Sequence, residues 1–156
     1  MNGAITDTKR RLMLALAQDE EIFELIANKD VDFECSDDLI YNNIFPFEKV
    51  DFTETQAGNY IGVGVDFPLI REEDVYKTSQ ITFLIICNTE TLRLGNTTYA
   101  RTDAIGERII KILQDSSIAG FPMKVYSDVE GIHSSRFYYR RLIFKSKASN
   151  LTNICG

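Results

Sequence analysis

The chain has 156 residues, of which 44% are hydrophobic and 26% charged, and its formal net charge is −6. This composition is that of one ordinary globular domain, which can bury a core without disulfides or metals. The acidic balance argues against a dedicated DNA-binding protein, because such proteins need surplus Lys and Arg to displace counterions from phosphates. We find no apolar leader and no run of membrane-spanning length, so we expect a soluble cytoplasmic protein without a targeting segment.

Charge is unevenly divided along the chain. Residues 1–78 carry 17 acidic and 7 basic residues, whereas residues 79–156 carry 6 acidic and 10 basic ones. Two interpretations remain open. The solvated faces of one domain simply differ in charge, or the acidic surface of one subunit meets the basic surface of a neighbour. A repeated contact of the second kind closes into a ring if the rotation allows it.

The N-terminal region predicts helices followed by an irregular arm. Apolar residues recur at helical spacing over residues 7–28, which indicates two short helices or one bent helix. The pattern breaks over residues 30–52, where Phe45 and Phe47 flank Pro46 in a strongly apolar connection. This arm either packs on the core or lies against a partner subunit, because exposed patches of this kind mark interfaces.

Two strand patterns follow the arm. Residues 59–67 alternate apolar and small or polar side chains, which predicts a half-buried strand. Residues 79–88 are apolar on both faces, as is typical of a central strand covered from both sides. One cover is the helix predicted at 102–114, and the other is either the N-terminal helices or an adjoining subunit.

The helix at 102–114 follows a polar loop at 89–98 that contains Leu92 and Leu94. Thr102 is of a type that can cap the helix, and Asp103 then lies where the helix dipole favours a carboxylate. The following residues form one apolar stripe: Ile105, Ile109, Ile112 and Leu113. The pattern therefore predicts a helix that packs on a sheet.

Two final strands are predicted at 123–129 and 136–146, separated by Gly131. The last strand is either an ordinary exposed strand, whose Arg stems cover apolar surface, or the basic half of a subunit contact or a phosphate-facing stripe. Its basic side chains are Arg136, Arg140, Arg141 and Lys145. The predicted fold is a single α+β domain over residues 1–147, followed by a loose tail at 148–156. It has a small, mostly antiparallel sheet of about four strands and one main helix, preceded by N-terminal helices.

No convergent set of catalytic residues can be identified. His133 is the only histidine, and its Gly-Ile-His-Ser-Ser context is more typical of a solvated loop than of a catalytic dyad. Three scattered cysteines follow neither disulfide nor zinc spacing. We therefore predict no catalytic residue, no metal site and no cofactor.

Four stretches together resemble the tail terminator or tail completion proteins of long-tailed bacteriophages. They are GNYIGVGVDFP, SQITFLIICNTE, YARTDAIGERIIKIL and RFYYRRLIFKSK, within roughly residues 55 to 147. The resemblance implies a virion protein of the tail or neck, assembled in the bacterial cytoplasm. It would form a hexameric ring that caps the tail tube and offers a docking surface to the head. DNA would pass through the bore, and no membrane would be involved.

The resemblance also implies partners and contact residues. The partners would be other copies of the chain, the tail tube protein and a head-completion or connector protein. Leu92 and Leu94 would bind the tube or a neighbouring ring, and Arg101 and Asp103 would serve structure or subunit contact. Three alternatives remain: a head completion protein, a regulatory binding module, and a small hydrolase or nuclease.

Overall fold

The computed structural model describes residues 3–48, 58–66, 79–115 and 123–146. In chain order they form α1 (Gly3–Gln18), α2 (Glu20–Ile26), a 3-10 helix (Phe33–Leu39), β1 (Ile44–Phe45), β2 (Asn59–Asp66), β3 (Gln80–Asn88), a short 3-10 helix (Thr89–Thr91), α3 (Arg101–Asp115), β4 (Met123–Ser134) and β5 (Phe137–Ser146). None of the helices in these ranges is long and apolar enough to span a membrane. The predicted α+β class is confirmed.

The described strands form one five-stranded sheet in the order β1-β2-β3-β5-β4. β2, β3, β5 and β4 pair antiparallel, whereas β1 pairs parallel to β2. β3 is the central strand, as its apolar character on both faces predicts. The sheet has one strand more than expected, because two residues of the arm, Ile44 and Phe45, pair with Ile61 and Gly62.

The three α-helices of the described residues pack on the same face of the sheet. The main core joins Leu12 and Leu16 of α1, Ile22 of α2, and Ile105 and Ile109 of α3. The sheet contributes the side chains of alternate residues on β2, β3 and β5: Ile61, Val63, Ile81, Phe83, Ile85, Cys87, Leu142 and Phe144. Burial raises the pKa of the Cys87 thiol to about 12. This thiol is therefore an inert core group, as the strand pattern predicts.

The second face of the sheet is covered differently from the expectation. The N-terminal helices were expected as one alternative for this face, but they share the first face with α3. A smaller cluster of Tyr60, Ile86 and Phe137 lies on the second face, with Phe45 packed against it. The chain after β1 crosses β2 so closely that a Cβ on Gly62 would clash with the carbonyl oxygen of Phe47. For this reason β2 is buried on both faces in its first half, and the prediction of a half-buried strand is wrong there.

Two local predictions also need correction. Thr102 was expected to cap α3, but the helix begins at Arg101 and Thr102 is fully buried in its first turn. Its hydroxyl has no hydrogen-bond partner among the described residues. Gly131 was expected to separate the last two strands, but β4 continues to Ser134. It continues because Gly131 pairs directly with Tyr139 of β5, and the lack of a side chain accommodates that ring.

Asp19 joins α2 to α3. It is the N-cap of α2, accepting a bond from the Ile22 amide at 3.1 Å, and it also accepts two bonds from Arg108 of α3, at 3.0 and 2.7 Å. Burial by itself would raise the pKa of Asp19, but the hydrogen bonds and the charge of Arg108 outweigh burial and lower it. The carboxylate therefore performs two structural roles at once.

We predict that Asp19→Ala lowers the free energy of unfolding by about 1–3 kcal/mol, because the cap and the Arg108 hydrogen bonds are lost together. Urea denaturation measures the change. Glu24→Ala on the exposed side of α2 is the matched control and should change stability by less than about 0.5 kcal/mol. Equal effects of the two substitutions would contradict the double role of Asp19.

Candidate interaction surface

A buried arginine fixes the β4–β5 hairpin to α3. Arg140 is only 8% exposed. Its guanidinium donates two hydrogen bonds to Asp128 of β4, at 2.8 and 2.7 Å, one to Glu107 at 3.1 Å, and one to the backbone carbonyl of Asp103 at 3.2 Å. The Asp103 carboxylate lies 3.6 Å away. One cation therefore joins three carboxylates from two elements.

The helix is adapted to this guanidinium at Gly106. A Cβ at this position would lie 2.7 Å from Nη1 and 2.9 Å from Cζ of Arg140. Glycine in a helix interior costs roughly 1 kcal/mol relative to alanine. Glycine is found here despite that cost because the guanidinium of Arg140 occupies the space that a side chain would fill.

An open cleft of about 770 Å³ lies between α3 and the hairpin. Its charged lining includes Arg140 with its three carboxylate partners, Asp103, Glu107 and Asp128. The other charged residues of the lining are Glu21, Arg108, Lys111 and Glu130. Arg140 holds three of the five carboxylates in this lining, so they are ion-pair partners rather than paired groups for acid–base chemistry. The described residues contain no group of three or more His, Cys, Asp or Glu side chains placed to hold a metal ion.

The predicted basic residues of the last strand fall into different environments. Arg140 lies on the helix-covered face, whereas Arg141 pairs with Leu84 on the second face and is exposed. Lys145 also lies on the second face, with its Nζ 3.6 Å from the centroid of the Tyr126 ring. Arg136 lies in the turn between β4 and β5. The alternation of the strand separates Arg140 from the other cations, although the sequence placed all four in one candidate set.

The other predicted contact residues are partly engaged within the domain. Arg101 donates to the backbone carbonyls of Leu25 and Thr91, at 2.6 and 2.9 Å. Leu92 packs against the main core, and Leu94 is half-buried. In the arm, half-buried Phe45 contacts Tyr60 and Phe47, and the ring of Phe47 is exposed.

The structure adds an apolar surface that the sequence reasoning missed. β4 is an edge strand, and four of its large apolar side chains are exposed: Val125, Tyr126, Val129 and Ile132. The most exposed are Ile132 at 74% and Tyr126 at 66%. The sequence signal was the run of apolar residues in MKVYSDVEGIHS, but only the strand order shows that this strand has a free edge.

A comparison with protein-family models identifies the class of this chain. The YomW family model matches residues 19–146, which covers all five strands of the sheet. The chain therefore belongs to the YomW family. This family is phage-derived, so the protein is phage-associated. No curated protein matches the chain.

We predict that Gly106→Ala lowers the free energy of unfolding by about 1–2 kcal/mol, because the added methyl group displaces the buried guanidinium. Helix propensity alone predicts the opposite sign. In an Arg140→Met background the clash is absent, so the same substitution should raise stability by up to about 1 kcal/mol. Urea denaturation of the wild type, the two single variants and the double variant measures this coupling. If Gly106→Ala changed the free energy of unfolding with the same sign in both backgrounds, the clash with Arg140 would be contradicted.

We also predict a pH dependence of stability from Asp128. The hydrogen bonds from Arg140 hold the pKa of Asp128 below its ordinary value of 3.8. Because the folded-state pKa is the lower one, this stabilisation is complete above pH 3.8 and is lost as the pH falls through the folded-state value. Thermal unfolding from neutral pH down to about pH 2 should therefore show a shallower acid loss for Asp128→Asn. The neutral neighbour substitution Ser127→Asn should keep the wild-type profile, and parallel profiles for all three chains would refute the assignment.

Proposed function

We propose that this chain is a structural protein of the phage neck. It forms a ring, expected to be hexameric, that caps the tail tube and joins the tail to the head, and DNA passes through the bore. We assign it no catalytic role. The finished protein resides in the virion, after assembly in the bacterial cytoplasm.

The exposed β4 edge is the observation that carries this proposal. β4 is 12 residues long, and its outer side pairs with no other described strand. A long apolar edge strand is an aggregation hazard unless another chain or element covers it. A phage-derived protein with such an edge is well suited to assembly with other copies.

Charge supports the same function. A net charge of −6 disfavours tight binding of phosphates, which suits a bore that DNA must pass. The division into an acidic and a basic half favours a head-to-tail contact between identical subunits. The loop at 89–98 remains our candidate for contact with the tail tube, and the exposed ring of Tyr99 lies directly after it.

Measurements of particle mass and electron microscopy test whether the chain forms a ring. We expect light scattering and native mass spectrometry to give about six chains per particle at low salt, and electron microscopy to show a central opening. Salt should weaken the assembly, because screening reduces the attraction between opposite charges. A monomer at every protein and salt concentration would refute the ring.

The tail-side role has a separate test. Purified particles should bind to one end of isolated tail tubes, which electron microscopy of the mixture detects. Binding to DNA-filled heads but not to tubes would instead make the chain a head completion protein. Binding to neither would leave the ring without a neck function.

A further inference from the structure

Large exposed apolar side chains occur beside β1 and on β4, at opposite edges of the sheet, and two others in the described ranges, Ile5 and Tyr99, belong to neither group. We call the first group, with the carboxylates beside it, the acidic edge. Its apolar members are Tyr41 and Phe47, directly before and after β1, and Phe33 at the start of the 3-10 helix, whose ring contacts Phe23 of α2. We call the second group, with its cations, the basic edge. Its apolar members are the exposed side chains of β4 on the second face, Tyr126 and Val129, whereas Val125 and Ile132 pair with Phe144 and Tyr138 on the helix-covered face.

The charges beside the two groups are opposite. The acidic edge has five exposed carboxylates, and none has a cation within ion-pair distance among the described residues: Asp30, Asp32, Glu34, Asp37 and Asp38. The basic edge has Lys124, Arg141 and Lys145. Within the described ranges, Lys124 and Arg141 have no ion-pair partner either. An apolar centre with a charged rim is the usual composition of a protein interface.

The carboxylates of the hairpin do not cancel this basic charge. Asp128 is held by Arg140 on the helix-covered face, and Glu130 pairs across the strands with Arg140 on that same face. The cations of the basic edge lie on the second face, where β4 and β5 place no acidic residue. The two faces of the hairpin therefore differ in charge.

Each edge also contains an arrangement that is unfavourable in the isolated chain. Tyr41 has a φ of 71° in the left-handed region, which is rare for a bulky residue, and its side chain is 65% exposed. At the other edge, Lys124 lies directly opposite Lys145, and like charges in cross-strand pairs destabilise a sheet. A carboxylate from another chain would relieve the repulsion between the two lysines.

The positions of the edges determine how copies can join. β1 and β4 are separated by four inter-strand spacings, or roughly 19 Å. A two-fold contact between basic edges would bring two surfaces of the same positive charge together, which like-charge repulsion disfavours. A contact of the basic edge with an acidic edge leaves one unused edge on each chain, so it propagates and can close into a ring.

We infer that the β4–β5 hairpin of one copy binds the acidic edge of the next copy, with the apolar groups in contact and the charges paired around them. The occupant of each edge is thus a second copy of this chain. This inference rests on the proposed ring and names the surfaces that form it.

Charge-reversal variants test the pairing of the two edges. The basic-edge variant carries Lys124→Glu and Arg141→Glu, and the acidic-edge variant carries Glu34→Lys and Asp38→Lys. These four side chains are exposed and make no ion pair within the described residues. Arg10→Glu with Arg11→Glu on the exposed side of α1 is the control for the basic-edge variant, because it changes the net charge equally. Circular dichroism confirms that each variant is folded.

We expect each edge variant alone to associate at least roughly tenfold more weakly than wild type, whereas the α1 control assembles normally. When the two variants are mixed, one intact basic edge and one intact acidic edge remain. Those two edges should pair, and the two reversed edges are complementary to each other as well, so the mixture should assemble while each variant alone stays monomeric, which native mass spectrometry resolves. A chain carrying all four reversals should assemble again, because its edges are complementary with the signs exchanged.

Tyr41→Gly tests the apolar part of the acidic edge. Glycine relieves the left-handed backbone, so the fold should be no less stable, whereas loss of the ring should weaken assembly by roughly tenfold. Ile5→Ala, which removes an exposed apolar side chain of α1 outside both edges, is the control and should leave this assembly unchanged.

The outcomes separate this inference from the proposed function. If wild type forms rings but the mixed variants stay monomeric and the fourfold variant fails to assemble, the named surfaces are wrong and the ring stands. If wild type is monomeric under all conditions, both fail. Assembly of either edge variant at wild-type strength would also exclude the pairing.

Discussion

The guanidinium of Arg140 joins the β4–β5 hairpin to α3, while the β3–β5 ladder holds the hairpin in the sheet. β4 contributes little to the apolar core, since most of its side chains beyond Met123 are exposed. β4 is held by its pairing with β5, and Arg140 adds a polar attachment to α3 by joining Asp128 to Glu107 and Asp103. Removal of one partner from a buried ion cluster leaves uncompensated charge, so the geometry is tightly specified. The apolar side chains of β4 therefore remain exposed at the edge of the sheet.

One-sided packing of the helices has a second consequence. Because α1, α2 and α3 all cover the same face, the other face of β2 is available to the chain that leaves β1. Gly62 permits this close crossing, which ends at the exposed ring of Phe47. The same arrangement places the acidic segment at the β1 side and the hairpin at the β4 side. The positions of the core and of the two exposed edges thus follow from the packing of α1, α2 and α3 on one face of the sheet.

The distribution of charge connects this fold with an assembly role. Arg140 and Arg108 are used within the subunit, so their carboxylate partners are not available to a neighbour. Lys124 and Arg141 remain on the second face with no ion-pair partner in the described ranges. A subunit with opposite charges at opposite sheet edges favours directional association. Membership of the phage-derived YomW family supports the neck ring that we propose as the product of such association.

Local patterns in the sequence determined the helices, the central position of β3, the buried Cys87 and the α+β class, because periodicity depends on neighbouring residues alone. They also determined the division of charge and the apolar character of the arm. Only the tertiary structure decided that Thr102 is buried instead of capping α3, and that Arg140 is enclosed while Arg141 is exposed. It alone placed β1 and β4 at the edges of the sheet, because strand order depends on pairing between distant segments, which no short stretch of sequence encodes.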